Sequence, residues 1–165
     1  MNTILKSPIC NAYWTKHCFI PDRKYLDRNS VGVFSIVGNF NPQGRNELEK
    51  LILSHIGNDA RGTYYFKSDS RGNTDVKFKA KEKIKDKNGN EVIQKPPVFY
   101  NNERYEGHFE YASVRIFFTP KLFKAYNKCS LILKAIEILE FRNTDPMGKE
   151  DEAILKVLGV VNGNT

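Results

Sequence analysis

Alternating rings and a guanidinium along one predicted strand are the clearest chemical feature of this sequence. The segment F-E-Y-A-S-V-R-I-F-F covers residues 109–118. In an extended chain its odd positions share one face, and they carry Phe109, Tyr111, Ser113, Arg115 and Phe117. Flat rings beside a guanidinium form a surface on which nucleobases can stack. Packing of a strand between two cores explains the same residues, and the segment alone does not decide between the two.

A second strand-like segment carries a regular row of lysines. In D-V-K-F-K-A-K-E-K-I-K-D-K, lysine occupies every odd position from Lys77 to Lys87. An extended chain gathers these lysines on one face, whereas a helix would scatter them. The Asn88-Gly89 pair then predicts a tight reversal, so we interpret residues 75–94 as a projecting basic hairpin. Its lysine face either protects a sheet edge from aggregation or contacts a polyanion.

Strand-forming residues dominate most of the remaining chain. Residues 9–20 are rich in them and end at Pro21, which predicts a strand. Residues 30–41 form a second predicted strand, in which two interior glycines predict a bend or bulge. Further strands are predicted over 62–67 and 131–141. The pattern therefore predicts a mainly β fold.

One helix is clearly predicted in the middle of the chain. Asn41 followed by Pro42 is typical of a helix start, and Gly57 of its end. The predicted apolar face consists of Leu48, Leu51, Ile52, His55 and Ile56. A short apolar segment within residues 143–165 predicts a second, terminal helix that docks on the body or on a partner chain.

Composition and charge distribution bound the function classes. The chain of 165 residues is long enough for one domain with a real core. Its net charge of +7 is concentrated in the predicted strands, which favours a polyanion lying across a sheet. Three cysteines without tight spacing favour a reducing compartment. We expect a soluble intracellular protein without membrane contact, because the sequence has neither an apolar run of bilayer length nor a signal peptide.

Motifs for catalysis are not evident in the sequence. It contains no C-x-x-C, P-loop or G-x-S-x-G pattern, and the spacing of Cys10, His17 and Cys18 is not that of a zinc site. A small metal-dependent nuclease or junction resolvase is the main alternative to a binding protein. Such an enzyme needs clustered carboxylates, and the candidates, all in predicted loops, are Asp22, Asp27, Asp69 and Asp75.

The chain resembles a known family, most specifically over residues 96–142. It has P-P-V at 96–98, Y-x-G at 105–107 and Y-A-S-V-R at 111–115, and then an aliphatic strand that precedes D-P-M-G at 145–148. This order is similar to that of bacteriophage single-stranded-DNA-binding proteins with an OB-fold. The resemblance covers residues 9–142.

The resemblance implies an OB-fold-like five-stranded barrel with a projecting basic hairpin, one helix and a C-terminal helical tail. In such proteins a groove of aromatic and basic side chains binds the strand, without a metal or cofactor. Tyr111, Arg115 and Phe117 are implied as groove residues, and Tyr105 with Gly107 as the bend that opens the groove. With the cations and rings of the other segments, the predicted nucleic-acid contacts are Arg23, Lys24, Tyr25, Tyr65, Lys67, Lys77, Lys79, Lys81, Tyr105, Tyr111, Arg115 and Phe117.

The resemblance also implies a domain division and a role. Residues 1–142 are expected to form the single-stranded-DNA-binding domain, and residues 143–165 a tail with a short docking helix. The expected role is to bind and protect single-stranded DNA without strong sequence preference, without catalysis, during phage replication or recombination. The expected location is the cytoplasm of an infected bacterial host, and the tail would recruit replication or recombination proteins or a second copy of the chain.

The chain departs from the family pattern in its C-terminal segment and at Phe99. Such proteins often end in a long acidic tail, whereas this sequence ends V-V-N-G-N-T without charge. Many also carry an aspartate directly after P-P-V, where this chain has Phe99. The first departure weakens the expectation that the last residues recruit partners.

Overall fold

Eleven strands and one α-helix form the part of the chain that the computed structural model describes, namely residues 3–23, 31–57, 64, 66–123, 125 and 127–142. The helix α1 is Pro42–Ile56, and a 3₁₀ helix covers Thr15–Cys18. The strands are β1 Leu5–Lys6, β2 Cys10–Tyr13, β3 Val33–Phe40, β4 Lys67–Ser68, β5 Thr74–Lys81, β6 Lys83–Lys85, β7 Glu91–Ile93, β8 Val98–Tyr100, β9 Glu103–Arg104, β10 Tyr111–Phe123 and β11 Lys128–Arg142. The predicted tail helix lies outside these residues.

Five of the strands close into a barrel. Neighbours pair in the order β10-β2-β3-β5-β11, and β11 pairs back with β10. The pairs are antiparallel except that β11 lies parallel to β5. The β10–β11 pairing covers the whole of β10 and shifts register after Ser113 and after Phe117. Because such bulges bend a strand, they let both long strands curl around the barrel. The predicted OB-fold-like five-stranded barrel is confirmed.

The register shifts lie in β10 and not at Gly38 of β3. Pairing of β3 with β5 is continuous from Val33 to Phe40, so the bulge predicted at Gly38 is wrong. Gly38 is needed for packing instead, because a Cβ there would lie 3.0 Å from both Cys10 Sγ and Ile116 Cδ1. A glycine is therefore required at position 38, but the reason is the close approach of core side chains and not a bulge.

Apolar side chains at alternate strand positions fill the barrel. The even residues of β10, predicted to face the core, are all fully buried: Ala112, Val114, Ile116 and Phe118. Phe78 of β5 lies between two other core rings, with its centroid 5.2 Å from that of Phe118 and 6.4 Å from that of Phe40. Phe109 was placed on the outer face by its odd number, but it precedes β10 and is 5% exposed. That prediction is wrong because the alternation begins only at Tyr111.

The ends of α1 follow the sequence signals. Asn41 Oδ1 accepts a hydrogen bond from the Gly44 amide at 2.7 Å, and Gly57 follows the last turn with φ 94°. Its buried face is formed by Leu48, Ile52 and Leu53. The predicted face is therefore slightly misplaced, since Leu51 is half-buried and His55 is exposed. Within the described residues, no helix has the length and hydropathy needed to cross a membrane.

Residues 9–20 do not form one strand. β2 ends at Tyr13, and Trp14 takes a left-handed conformation with φ 56° that starts the 3₁₀ helix. Buried Thr15 then donates a hydrogen bond to the backbone oxygen of Phe109. This long-range bond fixes a turn where local strand propensity predicted continuation.

Residues 75–94 form a barrel strand followed by a shorter hairpin. β5 belongs to the barrel because its even residues are buried, namely Val76, Phe78 and Ala80. β6 and β7 pair with each other as a separate two-stranded sheet, and Gly89 at φ 80° forms the predicted reversal between them. The projecting hairpin is thus restricted to residues 83–93, and the longer hairpin predicted from the lysine row is wrong.

Glu82 joins the hairpin to the barrel. Its carboxylate accepts hydrogen bonds from Arg23 Nη2 at 2.7 Å and from the Gly32 amide at 2.9 Å. Its backbone amide donates to Gly32 O, and its carbonyl accepts from the Gln94 amide. The hydrogen bond from Arg23, followed by that from the Gly32 amide, holds the pKa of the Glu82 carboxyl down at about 2.

The Glu82→Gln substitution should lower the melting temperature in a pH-dependent way. The pKa is about 2 in the folded chain and 4.5 ordinarily, so the carboxylate stabilises the fold above pH 4.5 and this contribution is lost as pH falls through 2. Thermal unfolding of both proteins should show a gap at neutral pH that closes in strong acid. Glu91→Gln, on the exposed strand β7, serves as the control. A gap that stays constant with pH would contradict an electrostatic origin.

Candidate functional site

A cavity of about 460 Å³ lies on the outer face of the barrel. We call it the basic groove, since four lysines and several aromatic rings surround it. The groove is lined by Tyr13, Trp14, Val37, Tyr64, Lys67, Asp75, Lys77, Lys79, Lys128, Cys129, Ser130 and Leu131. The combination of rings and ammonium groups makes it the leading candidate for a binding site.

The registers of three strands assemble the floor of the groove. Tyr13 of β2 pairs with Val37 of β3, and Val37 pairs with Lys77 of β5. Directly paired residues point to the same side of a sheet, so these side chains lie in a row outside the barrel. Lys79 follows on the same face and pairs with Ile132 of β11, which brings the beginning of β11 to the groove.

Trp14 is the most exposed large ring of the groove. Its side chain is 75% exposed, and it stands edge-on to Tyr13 with 6.3 Å between ring centroids. The left-handed backbone is uncommon for a bulky residue and turns the indole out of the line of β2. Trp14 was not among the predicted contacts, because residues 9–20 were predicted to form one continuous strand in which Trp14 is an ordinary strand residue. The available signal was that this is the single tryptophan of the chain.

Positive charge in the groove is only partly compensated. Lys67, Lys77, Lys79 and Lys128 surround one carboxylate, that of Asp75. The pKa of Lys79 is lowered, first by partial removal from water and then by the like charges of Lys77 and Lys128. The three ammonium groups therefore repel one another, and an anion bound between them would relieve this repulsion.

Two of the carboxylates considered for a nuclease do lie close together. The Asn39 amide nitrogen donates to Asp75 Oδ1 at 2.7 Å and to Asp69 Oδ2 at 2.9 Å. Burial raises the pKa of Asp69, but hydrogen bonds from Asn39, Asn73 and Arg71 outweigh it and leave that pKa lowered. In the described part of the chain, no three His, Cys, Asp or Glu side chains are grouped to hold a metal ion. Asp27 lies outside that part.

The structure brings together some of the predicted contact residues. Lys67, Lys77 and Lys79 all line the basic groove. Lys81 is exposed at the end of β5 on the same face as the other two β5 lysines, but it does not line the cavity. Lys24, Tyr25 and Tyr65 lie outside the described residues.

The predicted residues of β10 lie elsewhere. Tyr111, Arg115 and Phe117 are half-buried on the outer face, and none of them lines the basic groove. Arg115 lines a second cavity beside α1. These three residues therefore do not share a cavity with the lysines of β5. Their contact with nucleic acid stays a prediction.

Tyr105 and Arg23 have internal partners. Tyr105 packs against Phe109 and Phe141, with centroids 6.3 and 5.2 Å away, and its hydroxyl donates to His108 O at 3.1 Å. Gly107 lies under its ring, where a Cβ would come within 2.6 Å of the hydroxyl oxygen. Arg23 is paired with Glu82, as described above.

Comparisons with known proteins give a fold but no sequence relative. No protein-family model matches the sequence, and no curated protein is similar enough to count as a relative. Among solved structures, gp2.5, a single-stranded DNA binding protein encoded by bacteriophage T7, is similar with a TM-score of 0.60 and 16% identity, over 100% of this chain and 98% of that one.

A second phage protein has the same fold. The single-stranded DNA-binding protein from bacteriophage Enc34 in complex with ssDNA is similar with a TM-score of 0.58 and 13% identity, over 88% of this chain and 89% of that one. Its C-terminal truncation gives a TM-score of 0.56 at 12% identity. The chain therefore has the fold of these phage proteins.

The Lys79→Met substitution should raise the melting temperature of the free protein. Because the pKa of Lys79 is lowered, its charged form costs free energy at every pH below that pKa, and the cost disappears only when pH rises above the ordinary value of 10.5. Methionine keeps the aliphatic stem and removes the charge. Thermal unfolding at low salt should show the gain, and added salt should reduce it. Lys87→Met in the exposed hairpin turn is the matched control; a loss of stability in Lys79→Met alone would contradict the repulsion.

Proposed function

We propose that this protein binds and protects single-stranded DNA without strong sequence preference, as a non-catalytic component of phage replication or recombination. The observation that carries the proposal is the exposed indole of Trp14 beside the four lysines of the basic groove. The likeness in fold to two phage proteins that bind single-stranded DNA supports it.

Stacking would supply the contact with bases. Trp14, Tyr13 and Tyr64 offer three rings along the groove. A base stacked on an aromatic side chain contributes about 1–3 kcal/mol, with little dependence on which base it is. Paired bases are not accessible to such rings, so this term favours an unpaired strand.

The lysines would supply contact with phosphates. The like charges of Lys77 and Lys128 contribute, after partial removal from water, to the lowered pKa of Lys79, and phosphate oxygens that enter the groove would relieve this repulsion. Each neutralised phosphate of a single strand contributes about 0.7 to the slope of log affinity against log salt, so four lysines predict a slope of roughly −3.

Base-specific recognition has little support in the groove. Reading a base requires side chains that donate to or accept from its edge. Asp75 already accepts from Asn39, and the lysines carry donors without fixed direction. The arrangement therefore fits a strand of any sequence.

The nuclease alternative has weaker support. Asp69 and Asp75 are close, but both accept hydrogen bonds from Asn39, and Asp69 also accepts from the amides of Arg71 and Asn73. Incubation of labelled single-stranded and duplex DNA with the protein and Mg²⁺ separates the two functions. Fragments that disappear in Asp75→Asn would favour the nuclease, whereas intact strands are expected.

The proposal also includes a cellular location and protein partners. A replication or recombination role places the protein in the cytoplasm of an infected bacterial host. Residues 143–165, which lie outside the described residues, carry an acidic cluster at Glu150–Glu152 beside an apolar segment. We infer that this tail recruits replication or recombination proteins or a second copy, so that its deletion would leave DNA binding intact.

Trp14→Ala should weaken binding of oligo-dT by roughly 5- to 150-fold, the equivalent of losing one stacked base. Trp14 is the single tryptophan of the chain, so its fluorescence should be quenched as wild-type protein is titrated with oligo-dT. Trp14→Phe keeps a ring and should retain most of the affinity. Stacking at this position would be excluded if oligo-dT leaves the fluorescence of the wild-type protein unchanged and if Trp14→Ala binds oligo-dT as tightly as wild type.

Lys77→Gln should make the salt slope of oligo-dT binding less steep by about 0.7. The reason is that one phosphate contact, and the counterion it releases, is lost. Titrations at several salt concentrations measure this slope for wild type and variant. Lys121→Gln, on an exposed lysine of β10 outside the groove, should keep the wild-type slope. Equal slopes for all three proteins would contradict a phosphate contact at Lys77.

A further inference from the structure

A second basic cavity lies beside helix α1. It has a volume of about 490 Å³ and shares no lining residue with the basic groove. We call it the helix cleft. Its lining consists of Lys6, Ser7, Pro8, Glu47, Lys50, Leu51, Ser54 and Arg115. The basic groove does not account for it.

Strands β1 and β10 place two cations on one wall of the helix cleft. Lys6 pairs with Phe117, so it lies on the same face as Arg115, two residues earlier on β10. Ser7 fixes this position, because its hydroxyl accepts from the Ile116 amide at 2.9 Å and its amide donates to Ile116 O at 2.9 Å. The two cations are thus held together by backbone pairing.

Helix α1 forms the opposite wall. Its contribution is a stripe spaced by three, four and seven residues, which defines one helix face: Glu47, Lys50, Leu51 and Ser54. The neighbouring face, with Leu48 and Ile52, is fully buried in the core and fixes the helix. Lys50 therefore faces the strand cations from a rigid element.

Charge in the helix cleft is unbalanced. Three cations share the cavity with one carboxylate, that of Glu47, which accepts from the side chain of Gln43 at 3.3 Å. A second carboxylate is that of Glu137 on β11, the direct strand partner of Arg115, but it does not line the cavity, so the cations stay in excess. Among the described residues, none of Lys6, Lys50 and Arg115 forms an ion pair. Arg115 is half-buried, and its planar guanidinium matches two oxygens of a phosphate.

We propose that the helix cleft is a second nucleic-acid contact site, which binds the phosphodiester backbone and not the bases. None of the described residues that line it is aromatic, so bases have no ring there to stack on. This inference rests on the proposed function, since a strand that leaves the basic groove would supply the phosphates. It gives Arg115 a binding role at a site separate from the lysines of β5.

Charge reversal tests the helix cleft directly. Lys6→Glu/Lys50→Glu changes two exposed lysines of the cleft, and Lys85→Glu/Lys87→Glu makes the same change in the hairpin, outside both cavities. Each protein is titrated by fluorescence anisotropy with oligo-dT of about 8 and about 40 nucleotides, the shorter being within the footprint of one OB-fold. A 40-unit abasic strand, which has the phosphates without the bases, is the third ligand. Circular dichroism and melting temperature check the fold, and Lys6→Gln/Lys50→Gln replaces the reversal if it unfolds.

The proposal predicts a specific pattern across ligands. The cleft variant should bind the long oligo-dT and the abasic strand about tenfold more weakly, with a salt slope less steep by about 1.4, the value for two phosphates. It should bind the short oligo-dT as wild type does, and the hairpin variant should change each affinity by less than about twofold.

Other outcomes would overturn the proposal in distinguishable ways. In one outcome the cleft variant binds the long and abasic strands as wild type does, while Lys77→Glu/Lys79→Glu binds oligo-dT more weakly. The helix cleft would then not be a contact site, and the proposed function would stand. Loss of binding to the same degree in the hairpin variant would reduce the effect to net charge. Binding of a polyglutamate peptide as tightly as the abasic strand, with the same loss in the cleft variant, would make the cleft a protein-docking site. If no variant weakens any ligand, the proposed function fails as well.

Discussion

Pairing of β10 with β11 along their full length is the constraint on which the rest of the structure depends. Two register shifts bend these strands, so different parts of each meet different neighbours. β11 lies beside β5 at Ile132 and beside β8 from Ile136 to Ile138, whereas β10 lies beside β2 first and beside β1 afterwards. Both cavities depend on these neighbours. The pairing of β11 with β5 brings the start of β11 to Lys79 in the basic groove, and the pairing of β10 with β1 brings Lys6 near Arg115 in the helix cleft.

Charged side chains divide into two groups in this fold. Several carboxylates accept hydrogen bonds from protein donors, as Glu82 does from Arg23 and Gly32, and Asp69 from Asn39. Their pKa values are lowered, so they stay ionised and stabilise the junctions where they lie. The pKa of Lys79 in the groove is lowered as well, first by partial removal from water and then by the like charges of Lys77 and Lys128. These acidic groups thus hold loops in place, while the lysines of the basic groove are left for a ligand of opposite charge.

Much of the local structure could be predicted from the sequence. The period-two pattern identified the buried face of β10, and Asn41, Pro42 and Gly57 marked the ends of α1, because these signals depend on neighbouring residues only. The break within residues 75–94 could not be predicted in this way. The alternation continues through Glu82, and what interrupts the strand there is a set of bonds to Arg23 and Gly32, which lie far away in the sequence.

Which exposed side chains meet was harder to predict than which are exposed. Lys67, Lys77 and Lys79 were predicted as contacts and do share the groove. Arg115 shares with them only an outward direction, since the bulges of β10 and the closure of the barrel decide its neighbours. Trp14 was missed because a long-range hydrogen bond from Thr15 to Phe109 helps to form a turn where propensity favours a strand.

A competition experiment tests most directly whether the rings and lysines of the basic groove bind an unpaired strand. Labelled oligo-dT bound to the full-length protein is displaced with unlabelled oligo-dT or with duplex DNA of equal length. Because a duplex hides its base faces from Trp14 and its neighbours, oligo-dT should compete at concentrations at least about tenfold lower than duplex, the equivalent of one stacked base. Equal competition by the two would show that phosphate charge alone accounts for binding, and it would contradict a groove built for unpaired bases.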